Sequence, residues 1–254
     1  MSTVAVVQAR TGSTRFPNKV LAELNGRPML CHLLERLGRC VTLDRVVVAT
    51  STSPSDDAIV ELAERAGVLV TRGSLDDVLQ RVLMAAQQHG ATVVVRITAD
   101  CPLVDPEVVD AVVRLRAESG ADYASNVEPR TYPDGYDVEV MTRECLERAA
   151  REAVRPDERE HVTLRIRQHP DDYRLASLRN DRDLSEMRLT VDVPEDLVRV
   201  SAVLTALLPD TMPGIAAVVR CVEANGAAMD QRLAGTGGLS VGDAGGELSR
   251  RSEA

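Results

Sequence analysis

Val4-Ala5-Val6-Val7-Gln8-Ala9-Arg10-Thr11-Gly12-Ser13-Thr14-Arg15-Phe16-Pro17-Asn18-Lys19 is the stretch on which the reading of this chain turns. Its first four residues are continuously apolar and rich in β-branched side chains, the pattern of a strand buried on both faces. The run then spills into a loop holding three cations, three hydroxyls and one glycine. Gly12 permits a tight turn that brings backbone N–H groups close to an anion. Ser13 and Thr14 add donors, and Arg10, Arg15 and Lys19 add charge-assisted ones. Such a loop suits phosphates. A basic surface loop is the plain alternative. This loop, however, leaves the carboxyl end of the first strand beside Gln8 and Ala9, where open α/β sheets bind their ligands. The spacing is neither the Walker A pattern, which needs a second glycine before the lysine, nor a G-x-G-x-x-G fingerprint.

Downstream the chain keeps a strand, helix, strand rhythm. Leu30, Leu33, Leu34 and Leu37 follow a turn at Gly26-Arg27-Pro28, with Pro28 placed for a first helical turn. Val46 to Thr50 reads as a second buried strand, and Ser53 to Asp57 caps a helix that stops near Gly67. A short strand at Val68 to Val70 leads through Arg72-Gly73-Ser74-Leu75-Asp76-Asp77 to a helix over Val78 to Ala86. Thr92 to Ile97 is the most strand-like segment in the chain, and a helix is predicted over Pro106 to Arg116. From Asp122 to Val140 the texture changes to Tyr, Asn, Pro, Gly and alternating residues, which suggests hairpin-like strands. A returning strand is predicted at Leu189 to Asp192, and helices over Pro194 to Leu207 and Ile215 to Val222. The whole predicts one α/β domain over residues 1–233. It is a Rossmann-like, mostly parallel sheet with helices on both faces and a smaller β-rich insertion around 122–180. The Gly- and Ser-rich tail, 234–254, is expected to be disordered.

Composition agrees with that class and removes others. Apolar residues make up 44% of the 254, enough for a core, but with one Phe, four Tyr and no Trp the packing falls to Val, Leu and Ala. A formal charge of −9 argues against a general nucleic-acid binder, so any phosphate site is a local cationic pocket in an acidic protein. Cys31, Cys40, Cys101, Cys145 and Cys221 are widely spaced without C-x-x-C, so neither a disulfide framework nor a structural zinc site is expected. No apolar run reaches the roughly 20 residues of a spanning helix, and the chain is expected to be cytoplasmic.

Asp100 follows the strongest strand directly, fixed by Cys101-Pro102, and Asp192 ends the Thr190-Val191-Asp192 run. Either aspartate could simply cap a turn or helix. Two carboxylates at strand ends opposite a phosphate-binding loop also suit Mg2+, which takes one or two carboxylates plus substrate phosphates. Arg72 and Gly73 are placed to meet a nucleotide, while Asp76 or Asp77 caps the next helix. Arg96 and Thr98 lead towards Asp100, and Arg96 has a structural carboxylate partner as its alternative. Asn126, Arg130, Tyr136, Glu139 and His161 form a polar set suited to a polyhydroxylated, anionic small molecule.

Four of these segments, in order over about residues 4–200, resemble the nucleotide-sugar cytidylyltransferases. The resemblance is closest to the spore-coat polysaccharide branch, which is similar to CMP-Kdo and acylneuraminate synthetases. Members read Q-A-R-x-G-S-T-R-L-P-G-K at the first segment; Phe16 and Asn18 depart from it, and Val193 stands where threonine is usual in D-T-x-x-D. The resemblance implies transfer of CMP from CTP to a sugar or sugar-acid hydroxyl with loss of pyrophosphate, and a homodimer. It implies metal binding by Asp100 and Asp192, with Asp196 as a second acidic position. Arg10, Arg15 and Lys19 would hold the β- and γ-phosphates, and Glu139 or His161 would serve the attacking hydroxyl. Two rival readings are an A-type glycosyltransferase using a finished nucleotide-sugar and a non-catalytic CTP-binding protein.

Overall fold

The computed structural model describes residues 2–236. The strands are β1 (Thr3–Gln8), β2 (Glu23–Leu24), β3 (Arg27–Pro28), β4 (Arg45–Ser51), β5 (Leu69–Gly73), β6 (Val93–Thr98), β7 (Tyr123–Ser125), β8 (Glu139–Thr142) and β9 (Leu175–Ser177). The helices are α1 (Met29–Leu37), α2 (Asp57–Arg65), α3 (Val78–Gln88), α4 (Pro106–Ser119), α5 (Arg143–Glu152), α6 (Pro156–Glu160), α7 (Leu164–Gln168), α8 (Pro194–Ala206) and α9 (Ile215–Thr236). Residues 234–236 continue α9; the rest of the tail for which disorder was expected lies outside the described residues.

Seven strands form one sheet in the order β5-β4-β1-β6-β8-β7-β9, while β2 and β3 pair separately as a hairpin. Pairings among β5, β4, β1 and β6 are parallel, β8 runs antiparallel to β6 and β7, and β9 is parallel to β7. The valine runs explain the layering. Ala5 and Val7 of β1 pack with Leu30 and Leu33 of α1 and Val200 of α8 on one face; Val4 and Val6 pack with Leu79 and Val82 of α3 on the other. The chain moves outward from β1 to β4 and β5, then returns to the far side of β1 as β6. Right-handed crossovers in opposite directions put α1 and α2 on one face and α3 on the other. That reversal opens a crevice past the carboxyl ends of β1 and β6, where Gln8 and Thr98 are register partners.

Two expectations change here. Residues 122–180 are not a β-rich lobe of their own: their three short strands complete the main sheet, and α5, α6 and α7 accompany them. Leu189 to Asp192 does not form a strand. Its backbone bonds to loops instead: the Leu189 N–H donates to the Asp134 carbonyl at 2.7 Å and the Val191 N–H to the Asp100 carbonyl at 2.9 Å. Gly135 makes this possible. Its φ is +110°, and a Cβ there would lie 2.6 Å from the Leu189 and Thr190 backbone, closer than any side-chain-bearing residue allows.

Candidate active site

The cationic loop is clasped at its start. Thr11 donates to Asp56 Oδ1 through both its N–H, at 2.8 Å, and its hydroxyl, at 2.6 Å. The other oxygen of Asp56 accepts from the Thr50 hydroxyl, the Ser51 N–H and the Ser51 hydroxyl. Asp56 is 1% exposed. Burial pushes its carboxyl upward, but the Ser51 and Thr11 donors outweigh that and hold it below the usual range. The loop closes on itself through the Thr11 carbonyl, which accepts from the Ser13 N–H at 2.8 Å and the Asn18 N–H at 2.9 Å. Asn18 takes the left-handed conformation, φ 59° and ψ 18°, so asparagine serves where the family pattern has glycine.

Past the loop, Lys19 lies between the two carboxylates. Its Nζ donates to Asp100 Oδ2 at 2.8 Å, to the Val191 carbonyl at 2.9 Å and to Asp192 Oδ1 at 3.0 Å. Arg15 Nη2 lies 3.2 Å from Asp192 Oδ1, and Arg188 Nη2 donates to Asp192 Oδ2 at 2.8 Å. Burial alone would lower the Lys19 pKa; Asp100, and then Asp192, raise it above its ordinary value. Asp192 is held below the carboxylate range because Lys19, Arg15 and Arg188 outweigh its burial. Lys19, expected on the phosphates, thus has all three ammonium protons committed to the acidic side. Asp196, expected as a further metal ligand, caps α8 by accepting from the Asp192 and Val193 N–H groups and pairs with Arg188.

Around this centre lies a cavity of about 400 Å³. From the loop it is lined by Gln8, Ala9, Arg10, Gly12, Ser13, Thr14, Arg15 and Lys19, and from β6 and its exit by Arg96, Thr98 and Asp100. Glu160, His161 and Asp192 close it. Arg10 and Glu160 approach at 3.4 Å across its mouth. The sequence reading missed Val20, Val78, Arg81 and Ala99 on its wall. Arg81 is 2% exposed, its Nη1 donates to the Ser74 and Leu75 carbonyls, and its Nε has no hydrogen-bond partner. The available signal was its position: with Val78 and Val82 it falls on the buried face of α3.

Other expected site residues lie elsewhere. Arg72 Nε donates to the Ser51 carbonyl and Nη2 to the Ser53 carbonyl, and Nη1 pairs with Asp57, so it is a clamp on the loop after β4. A Cβ on Gly73 would lie 2.8 Å from Met84; that glycine admits α3 to the sheet. Asp76 is not on the cavity wall, and Asp77 caps α3 by accepting from the Gln80 N–H. Asn126 bridges its own loop to the Tyr136 carbonyl and the Val138 N–H. Tyr136 is fully buried, and Arg130 is held by Asp137 through two hydrogen bonds.

Glu139 is also not on the cavity wall. At 4% exposure it accepts from the Tyr123 hydroxyl at 2.6 Å, the Thr163 hydroxyl at 2.5 Å and Arg96 Nη1. Burial pushes its carboxyl up, and Arg96 with the two hydroxyls brings it below its ordinary value. Arg96 Nε in turn donates to Gln8 Oε1 at 2.9 Å. Gln8 therefore keeps its amide NH2 free for the cavity it lines.

The site's donor set fits a hard divalent cation. Two carboxylates from separate segments converge on one cationic centre, and oxygen ligands are what Mg2+ or Mn2+ prefers. No group of three or more His, Cys, Asp or Glu side chains gathers among the described residues, so a ligand's phosphates would complete the coordination. None of the described helices is long and apolar enough to cross a membrane.

A doubly wound sheet with a phosphate-type loop at its switch point is the frame of a nucleotide-binding α/β protein. The chain matches the cytidylyltransferase family model over residues 4–208 and belongs to that family, whose chemistry is nucleotidyl transfer from CTP. It is 39% identical over 198 residues to an uncharacterised protein of Methanocaldococcus jannaschii, covering 77% of this chain and 80% of that one. It is 34% identical over 204 residues to the spore coat polysaccharide biosynthesis protein SpsF of Bacillus subtilis, covering 78% and 84%. A solved cytidylyltransferase of Leptospira borgpetersenii superposes with a TM-score of 0.87 at 31% identity, over 90% of this chain and 97% of its own. Membership decides against the glycosyltransferase and non-catalytic readings.

Proposed function

We propose that this cytidylyltransferase joins CMP from CTP to a hydroxyl of a sugar or sugar-acid acceptor, releasing pyrophosphate, with Mg2+ held by Asp100 and Asp192. The observation that carries the reading is the convergence of those two carboxylates on Lys19, with Arg15 already reaching Asp192 from the loop. Arg10, Arg15 and the backbone N–H groups of Gly12 to Thr14 would hold the β- and γ-phosphates. Charge developing on the departing pyrophosphate then meets groups already in place. Mg2+, when bound, neutralises phosphate charge and polarises the phosphoryl oxygens. Gln8 and Thr98 line the floor between the loop and β6 and orient the ligand there, which removes much of the entropic barrier to displacement. Of the two bases considered, His161 lines the cavity, whereas Glu139 is saturated behind it. The proton of the attacking hydroxyl is therefore assigned to His161. A homodimer, implied by the family resemblance, and a cytoplasmic location, expected from the cysteine pattern and apolar runs, belong to the same reading.

A pyrophosphate-release screen crossing four ribonucleoside triphosphates with sugar acids and sugar phosphates, in Mg2+ and then in EDTA, tests it. Release with CTP and a sugar acid in Mg2+ alone is the expected result. Equal release with every triphosphate, or release indifferent to EDTA, would sink it.

A further inference from the structure

We infer that Lys19 competes with a divalent cation for Asp100 and Asp192 and so makes metal loading conditional on nucleotide. The inference rests on the assignment of Asp100 and Asp192 as metal ligands. An ammonium carries three protons, and Lys19 spends all of them within 2.8–3.0 Å on Asp100, Val191 and Asp192. It is a monovalent cation, tied to the chain, on the two carboxylates that would hold a divalent ion.

The surrounding charges strengthen the plug. Lys19, Arg15 and Arg188 are matched by Asp100, Asp192 and Asp196. Within this set the charges cancel, which weakens the pull of the two carboxylates on a lone divalent ion. Such an ion would also have to displace the ammonium of a lysine whose side chain is only 11% exposed and leave it with the Val191 carbonyl alone, beside a doubly positive neighbour. Burying like charges that closely is costly.

A triphosphate changes the balance. Its oxygens offer Lys19 and Arg15 new partners on the loop side of the cavity, which both residues line. Released from Asp100 and Asp192, they free carboxylate oxygens while the incoming phosphates supply the remaining ligands. Lys19 reaches either set by rotating its own side chain, so the loop clasped at Thr11 and Asp56 need not move. Metal and nucleotide then bind with strong positive coupling, and the residue that enforces the coupling is Lys19.

Manganese titration of the full-length protein, followed by the EPR signal of free Mn2+ and corrected by protein-free titrations for the Mn2+ that CTP binds by itself, tests this without any turnover. In the wild type, saturating CTP without acceptor should tighten Mn2+ binding by at least about tenfold, within the usual range of coupling between sites. Lys19→Met keeps the apolar stem and removes the ammonium. It should bind Mn2+ at least about tenfold more tightly than wild type without CTP, and the gain on adding CTP should shrink. Adding Asp100→Asn to Lys19→Met should abolish that gain. Equal Mn2+ affinity of the wild type with and without CTP overturns the inference, and needs no variant to fold. Unchanged nucleotide-free affinity in a folded Lys19→Met overturns it as well. If neither protein takes up Mn2+ even with CTP, the metal-ligand assignment itself has failed, which is a different outcome.

Discussion

On the parallel side of the sheet, past the ends of β1 and β6, Arg10, Arg15, Lys19 and Asp100 line the cleft. On the side that carries β8, β7 and β9, residues of the same types are spent on one another: Arg130 on Asp137, Glu139 on Arg96, Tyr123 and Thr163. A polar residue in this chain is thus a poor guide to chemistry unless the fold also brings it to the crevice past the carboxyl ends of β1 and β6. The contrast can be broken by experiment. Asp100→Asn should cut pyrophosphate release by about 1,000-fold or more, the several kcal/mol a metal centre supplies, while circular dichroism stays native. Normal turnover would remove the cleft-side half of the comparison.

Glu139→Ala should do the reverse. Removing one member of a buried ion pair strands Arg96, at a cost of about 3–5 kcal/mol, read as a loss of denaturant stability with CTP binding kept by the folded fraction. A stable variant lacking only turnover would return Glu139 to catalysis. The arginines sharpen the contrast further. Arg81→Met should weaken CTP binding by about tenfold or more, the worth of a charge-assisted hydrogen bond, whereas Arg72→Met should lower stability and leave CTP binding near normal. Isothermal titration calorimetry separates the two.

Acid titration probes both sides together. Asp56 and Glu139 are held below the usual carboxylate range, by the hydroxyl donors in one case and chiefly by Arg96 in the other, each against its own burial. Unfolding frees them to bind protons more tightly. The stability they contribute is therefore complete above about pH 4–5 and is lost as pH falls through their lowered folded values. Asp56→Asn should flatten the acid limb of the melting profile, and an unchanged limb would count against the clasp. The smallest effect is expected at Arg130→Ala. Its pair with Asp137, about a third exposed on each side, is worth about 1 kcal/mol or less, and the KM for CTP should not move.

Much of this was legible before any coordinates. The valine runs announce the buried parallel strands, and the cations after Val7 mark the cleft because backbone, glycine and charge occur together there. Asp77 as a cap and Arg96 with a carboxylate partner were both open alternatives in the sequence, and the structure adopts them. What could not be read is partnership across distance. Thr11 finds Asp56 45 residues away, and Lys19 finds Asp100 and Asp192 at separations of 81 and 173. Residue type predicted that these groups carry charge; only the crossovers decide which charge each one meets. The missing strand at Leu189 has the same origin, since nothing local says that Gly135 will lie beneath it.

That contact at Gly135 fixes more than a loop. It fastens the segment carrying Asp192 to the stretch from Arg130 to Asp137 by backbone alone. The Asp134 N–H and carbonyl bond to Met187 and Leu189, so the seam does not depend on the side chain at position 134. The spacing of Asp192 from Asp100 is thus set by main chain meeting main chain, independent of which side chains decorate either loop.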